Sequence, residues 1–193
     1  IGLSTLAALV VSSDMISGER ERDTLEAVLV TPVPRRALVI GKMAAASSMW
    51  LIGIIAAVPY VISLAGGAGV TRDAIFVLGV AGSLVGMALT AMGMAISAIS
   101  MSNRVSVAAS VGILLILAAP SQLPAVTADG VLGSILIASN PVSAGLKLAG
   151  LVLIDQKPLA DQWHLLISPV VAVAVMTFLA IRLSSRVRLG GAR

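Results

Sequence analysis

Long apolar runs separated by short polar stretches constrain this chain more than any other feature of its sequence. A run of about 20 apolar residues can cross the roughly 30 Å hydrocarbon core of a membrane as a helix. The mean hydropathy is +1.05, and 58% of the residues are hydrophobic whereas 11% are charged. A soluble domain cannot bury so large an apolar fraction. We therefore predict an all-α, polytopic transmembrane helical bundle, because helices satisfy the backbone polar groups of such runs in lipid.

Hydropathy predicts five spans within a single domain, residues 1–193. The first is expected to be cut short at its start, since the chain begins inside an apolar run. We predict that residues 120–164 form a helical insert, extracellular or re-entrant, with two short helices broken at Asn140-Pro141. A full span at 131–154 would move the C-terminal arginines to the other side of the membrane. The predicted spans are 1–16, 37–65, 74–99, 105–119 and 165–183.

Residues 17–36, called the charged segment below, concentrate charge between the first two apolar runs. A helix from Glu19 to Val30 would be amphipathic and would lie along the membrane surface. The prolines at positions 32 and 34 would end it, because proline removes a backbone donor and disfavours helical angles in its predecessor. The predicted acidic side of this helix carries Glu19, Asp23 and Glu26, and the apolar side carries Leu25, Val28 and Leu29.

The charged segment resembles a known family motif. Gly18-Glu-Arg-Glu-Arg-Asp-Thr-Leu-Glu26, then Thr31-Pro32 and Gly41-Lys42, are similar to the cytoplasmic coupling segment of type-2 ATP-binding-cassette (ABC) exporter permeases. The Asn140-Pro141 pair resembles one found between the last two spans of these permeases. The likeness covers most of the chain, with the first of the usual six spans missing. It implies a permease that forms a substrate pathway with a second copy or a paralogue and docks a separate cytoplasmic ATPase subunit.

The resemblance places an ATPase-coupling site on the charged segment. An acidic face supports a protein partner, because anionic lipid would repel it and a basic groove would attract it. Two alternatives remain open: a helix that only rests on lipid, and a non-transporting membrane anchor or assembly factor for a soluble partner. We expect the paired arginines to meet lipid headgroups. The predicted coupling residues are Glu19, Glu21, Asp23, Thr24, Leu25, Glu26, Arg35 and Arg36.

The distribution of Lys and Arg predicts the orientation in the cell membrane, since cytoplasmic loops carry an excess of these residues. With the charged segment inside, the C terminus is also cytoplasmic. Only Arg72, Lys147 and Lys157 then lie outside. The cytoplasmic basic residues are Arg20, Arg22, Arg35, Arg36, Lys42, Arg104, Arg182, Arg186, Arg188 and Arg193.

Small residues recur at three- and four-residue steps along the third span. Such a stripe allows helix backbones to approach closely in lipid. We predict packing within the subunit, and a role in a dimer or in lining the pathway remains open. The stripe comprises Gly79, Gly82, Gly86, Thr90, Gly93 and Ser97.

Several function classes are excluded by the sequence. The chain has no cysteine, which excludes disulfides and thiolate metal sites, and its 3% aromatic content is poor for nucleic-acid binding. It has no G-x-x-x-x-G-K-[ST] phosphate loop, so ATP hydrolysis is expected on another subunit. No catalytic residue, metal site or cofactor is predicted. Asp14 is expected to pair with a nearby arginine or to cap the helix that follows, and His164 to be interfacial rather than a ligand.

Overall fold

The computed structural model describes residues 2–24, 33–122 and 130–184. Within these ranges the chain is almost entirely helical and contains no strand, which confirms the predicted all-α fold. A π-helical turn, Val77–Ala81, joins α4 to α5, and 3-10 segments occupy Ala119–Gln122 and Leu159–Leu166. The α-helices are α1 Gly2–Asp14, α2 Ser17–Glu21, α3 Arg35–Ala68, α4 Thr71–Phe76, α5 Gly82–Ile99, α6 Asn103–Ala118, α7 Val131–Ser139, α8 Pro141–Leu153 and α9 Ile167–Ser184.

Four helical stretches of the described chain are long and apolar enough to cross a membrane. They overlap the second to fifth predicted spans. The apolar part of α1, Thr5–Asp14, is shorter than a full span, because a helix rises only about 1.5 Å per residue. The four stretches are Arg36–Gly67, Thr71–Ile99, Asn103–Gln122 and Leu159–Ser184.

The insert contains the predicted break. Helices α7 and α8 meet at 105° around Asn140. Pro141 begins α8, where its missing N–H costs no helical hydrogen bond. The Asn140 side-chain oxygen accepts hydrogen bonds from the backbone N–H groups of Val142 at 3.0 Å and Ser143 at 3.3 Å. Its Nδ2 donates to the Leu117 carbonyl at 2.7 Å, so the bend is fixed against the end of α6.

Helix α5 lies at the centre of the bundle. Its residues from Ala88 to Ala98 are all buried, whereas at most 17% of the apolar window is buried in each of the other three long stretches. At one end, Ile16, Met94, Ala98 and Ala180 belong to one apolar cluster that joins the chain after α1 to α5 and α9. This end also holds α2 and the start of α3, and we call it the charged end.

Three of the four predicted packing glycines lie against another helix. A Cβ on Gly82 or Gly86 would meet the ring of Trp50 at 3.1 and 2.8 Å, and one on Gly93 would lie 2.9 Å from the carbonyl oxygen of Leu9. A Cβ on Gly79 would have no heavy atom within 4 Å. The π-helical turn accounts for this difference, because its wider turn rotates Gly79 off the stripe that an unbroken α-helix would form.

Candidate functional site

The charged segment begins with α2, whose first turn is attached to the central helix. The Ser97 hydroxyl oxygen accepts hydrogen bonds from the backbone N–H groups of Ile16 at 3.0 Å and Ser17 at 2.9 Å. Helix N-termini leave such donors without partners inside the helix. Ser97 therefore caps α2 from a position 80 residues away in the sequence, and it is fully buried.

Arg20 attaches the same short helix to the end of α5. Its guanidinium donates to the carbonyl oxygens of Ser100 and Ala98, the latter at 3.3 Å. These carbonyls lie at a helix C-terminus, where acceptors are unsatisfied and positive charge is favourable. The end of α5 is thereby closed by a side chain of the charged segment.

Glu19 is held by α3. Its carboxylate forms an ion pair with Lys42, whose ammonium group also donates to the Met15 carbonyl at 2.7 Å. Both charged side chains are mostly buried, with 13% exposure for Lys42 and 25% for Glu19. Charge-assisted hydrogen bonds are stronger than neutral ones. The ion pair therefore joins α2 to the start of α3.

Asp14 forms an ion pair with Arg22 at 3.2 Å, as expected from the sequence. Gly18 lies directly beneath this pair, and a Cβ there would overlap the Asp14 carboxylate. A side chain at position 18 would have to displace that carboxylate. The absence of a Cβ thus allows the end of α1 to pack against α2.

The expected continuous helix from Glu19 to Val30 is wrong. Helix α2 ends at Glu21, and Asp23 has a φ of 55°, in the left-handed region that interrupts a helix. The Thr24 N–H donates to the Glu19 carbonyl at 3.0 Å and closes the turn. Glu19 and Asp23 are therefore not neighbours on one α-helical face.

The residues predicted to couple to an ATPase divide into a braced and an exposed group. Glu19 is braced by Lys42, whereas Glu21, Asp23 and Thr24 are exposed. Arg35 begins α3, and Arg36 next to it is exposed. Leu25 and Glu26 lie outside the described residues, as do Val28 and Leu29. The exposed acidic groups are available to a partner at the charged end.

An apolar cavity of about 650 Å³ lies between α5, α6, α7 and α9. Leu89, Leu117, Ile135 and Met176 contribute to its wall. Its polar lining side chains are Ser139, His164 and Ser168, and none of them carries a fixed charge. Among the described residues no group of three or more His, Asp or Glu side chains could hold a metal ion.

Sequence reasoning missed the partners of the charged segment. The sequence singled out Lys42 as part of the Gly41-Lys42 pair of the family motif, and Ser97 as part of the small-residue stripe. Neither pattern indicated a contact with the charged segment. Arg20 was assigned only to the cytoplasmic surface. Their contacts join residues between 23 and 81 positions apart, and no local pattern indicates such pairs.

Comparison with protein families gives one match. The model described as "ABC-2 family transporter protein" matches residues 1–189, nearly the whole chain. A comparison with curated proteins gives no match. The family match agrees with the motif resemblance and with the apolar helices of the described chain.

Proposed function

This chain belongs to the ABC-2 transporter family, as a multi-pass membrane permease component of an ABC transporter, and we propose that its charged segment couples it to a separate ATPase subunit. The family associates with ABC ATPase subunits in general. In this proposal the ATPase docks on the exposed acidic residues Glu21 and Asp23, and ATP-driven movement reaches the bundle through α2. The chain itself lacks a phosphate loop, so hydrolysis belongs to the partner.

The observation that carries this proposal is the attachment of α2. Ser97, Arg20 and Lys42 join this five-residue helix to the ends of α5 and α3. A helix that merely rests on lipid needs an apolar face and basic residues, not buried and partly buried polar bonds to two other helices. Helix α2 is held by these bonds while Glu21 and Asp23 remain exposed. A force applied to these two residues by a soluble partner would therefore pass to the bundle.

We further propose that the complex is an exporter in which two copies, or this chain and a paralogue, enclose the substrate pathway. This arrangement of two permeases is supported by the low burial of two long helical stretches. Only 11% of the most apolar part of each stretch is buried within the chain, in Arg36–Gly67 and in Asn103–Gln122. Their remaining surface is free for lipid or for a second permease. The charged end would be cytoplasmic, and closure of the ATPase pair would switch the bundle by a rigid-body or hinge movement.

The test is a charge reversal at the exposed acidic residues. We expect the double variant Glu21→Lys, Asp23→Lys to lose co-purification with the ATPase while inserting normally, because like charges at a contact cost several kcal/mol. Arg72→Glu at the opposite end is the matched control. If the double variant retains the ATPase at the parental level, these residues are not the docking surface.

A second pair of variants separates docking from bracing. Glu19→Lys breaks the pair with Lys42, whereas Glu19→Lys combined with Lys42→Glu restores an ion pair of opposite orientation. If Glu19 braces α2, the combined variant should recover the ATPase binding that the single variant loses. If Glu19 contacts the ATPase directly, the combined variant should stay defective.

A non-transporting anchor, the alternative function, would bind a soluble partner without stimulating ATP hydrolysis.

A further inference from the structure

Two side chains fasten α2 to the same central helix, α5. Ser97 accepts hydrogen bonds from the backbone N–H groups of Ile16 and Ser17 at the start of α2. Arg20, one turn later, donates to the carbonyls of Ala98 and Ser100 at the end of α5. Each helix therefore satisfies backbone groups that the end of the other leaves without partners.

The Ser97 bonds are buried and the Arg20 bonds are partly buried, and all of them are directed at backbone atoms. Ser97 is fully buried and Ser100 is 7% exposed. Water does not readily replace a hydrogen bond at such a site, so breaking one leaves a buried donor or acceptor unsatisfied. Sliding of α2 along α5 is therefore resisted at both attachment points.

The attachment of α2 to α3 is of a different kind. Glu19 pairs with Lys42 through two long side chains, and the same ammonium group donates to the Met15 carbonyl just before α2 at 2.7 Å. Long side chains can follow a moving partner by changing rotamers. Helix α2 should thus shift more easily relative to α3 than relative to α5, where the short Ser97 side chain holds two backbone N–H groups.

Helix α5 in turn is packed against α9. Met94, Ala95 and Ala98 belong to the same apolar cluster as Ala180, with Ile181 and Leu183 packed against it. The start of α3 contributes Val39 to this cluster, and Met43 packs against it. A displacement of the charged end of α5 must therefore move α9 as well, because close-packed interiors transmit strain.

We infer that Arg20 and Ser97 are positioning residues that make α2 and the charged end of α5 move as one body, so that a push on the charged segment displaces α5 and α9 more than it displaces α3. This inference rests on the proposed coupling function. The helices that would receive the movement are α5 and α9, and Arg20 and Ser97 connect them to the charged segment.

The first experiment needs no partner. Hydrogen exchange is measured on residues 15–22 of the full chain in lipid nanodiscs. Ser97→Ala should raise the exchange rate of Ile16 and Ser17 by roughly fivefold or more, because their acceptor is lost. Ser97→Thr retains a hydroxyl and should restore protection. Ser83→Ala, on the same helix and away from α2, is the control. Unchanged exchange in Ser97→Ala would overturn the inference.

The second experiment uses the complex with the ATPase. The chain has no native cysteine, so spin labels can be attached at Arg36→Cys on α3 and Met101→Cys after α5, with labelled chains diluted among unlabelled ones. Both positions are exposed. We expect the distance between the labels to shift when ATP and vanadate are added. The shift should disappear in the Arg20→Lys, Ser97→Ala background.

The outcomes separate the two proposals. A parental shift that persists in the double variant, or a complex that binds and hydrolyses ATP without any shift, would show that α5 does not receive the push. Failure of the parental chain to bind the ATPase would instead contradict the proposed function. The hydrogen-exchange result would still decide whether Ser97 holds α2.

Discussion

Trp50 occupies the space beside Gly86. A Cβ on Gly86 would lie 2.8 Å from Cδ2 of the Trp50 ring, closer than van der Waals contact allows. The ring is 2% exposed, and its Nε1 donates to the Ser83 hydroxyl oxygen at 3.2 Å, so it is held in this position. Close approach of α3 to α5 thus depends on a missing side chain.

We expect Gly86→Ala to lower the stability of the bundle by about 1–3 kcal/mol, because overpacking forces a ring or a backbone to move. The measurement is the thermal unfolding of the purified chain in detergent. Gly79→Ala is the matched control, since a Cβ there meets no heavy atom within 4 Å. Equal destabilisation by the two variants would contradict the packing role of Gly86.

The contact of Gly18 with Asp14 gives a second prediction. Gly18→Ala should displace the Asp14 carboxylate and break its ion pair with Arg22, which would destabilise the joint between α1 and α2 by up to about 1 kcal/mol. In an Asp14→Ala background the same change should cost much less, since the overlapping atoms are gone. A double-mutant cycle of thermal stability measures this coupling. Additive effects would show that Gly18 is required for another reason.

The bend between α7 and α8 depends on Asn140. Asn140→Ala removes the cap on α8 and the donor to Leu117, so we expect a loss of about 1–2 kcal/mol. Asn140→Ser keeps a capping oxygen and loses only the donor, and its effect should be smaller. Thermal stability measures the difference. If both variants lose the same amount, the cap contributes nothing and the Leu117 bond alone fixes the bend.

Orientation in the membrane is tested by labelling single cysteines with an impermeant reagent in intact cells. We expect Asp155→Cys to react and Met101→Cys and Arg182→Cys to remain unreactive until the cells are opened. This follows from the excess of Lys and Arg at the charged end. All three positions are exposed. Reaction of Met101→Cys as readily as Asp155→Cys would contradict a cytoplasmic charged end.

The helices could be predicted from the sequence because hydropathy and chain breakers act locally. Apolar length located the long stretches of the described chain, and Pro141 indicated the break between α7 and α8. The small residues of α5 predicted close packing, and Gly82, Gly86 and Gly93 have it. Gly79 is not closely packed, because it lies in the π-helical turn and is removed from the stripe. The spacing of the small residues does not indicate such a turn.

The candidate site was predictable only in part. The charged segment was located by its charge and its resemblance to a family motif, and the family match supports the family to which that motif points. The end of α2 at Glu21 was not predicted, because the spacing of apolar and acidic residues in the charged segment favours a longer helix. The Asp23 turn is stabilised by the Thr24 bond to the Glu19 carbonyl, together with the tertiary attachments of α2.

The sequence by itself determined that this chain is a helical membrane protein with one charged surface segment, because apolar length and charge density are properties of residues in order. Only the tertiary structure decided that Glu19 is braced while Glu21 and Asp23 remain exposed. It also joined Ser97 and Arg20 into the attachment of α2 to α5. Those choices depend on which helix ends meet in space, and a buried hydrogen bond forms only where the packed bundle brings a donor to an acceptor.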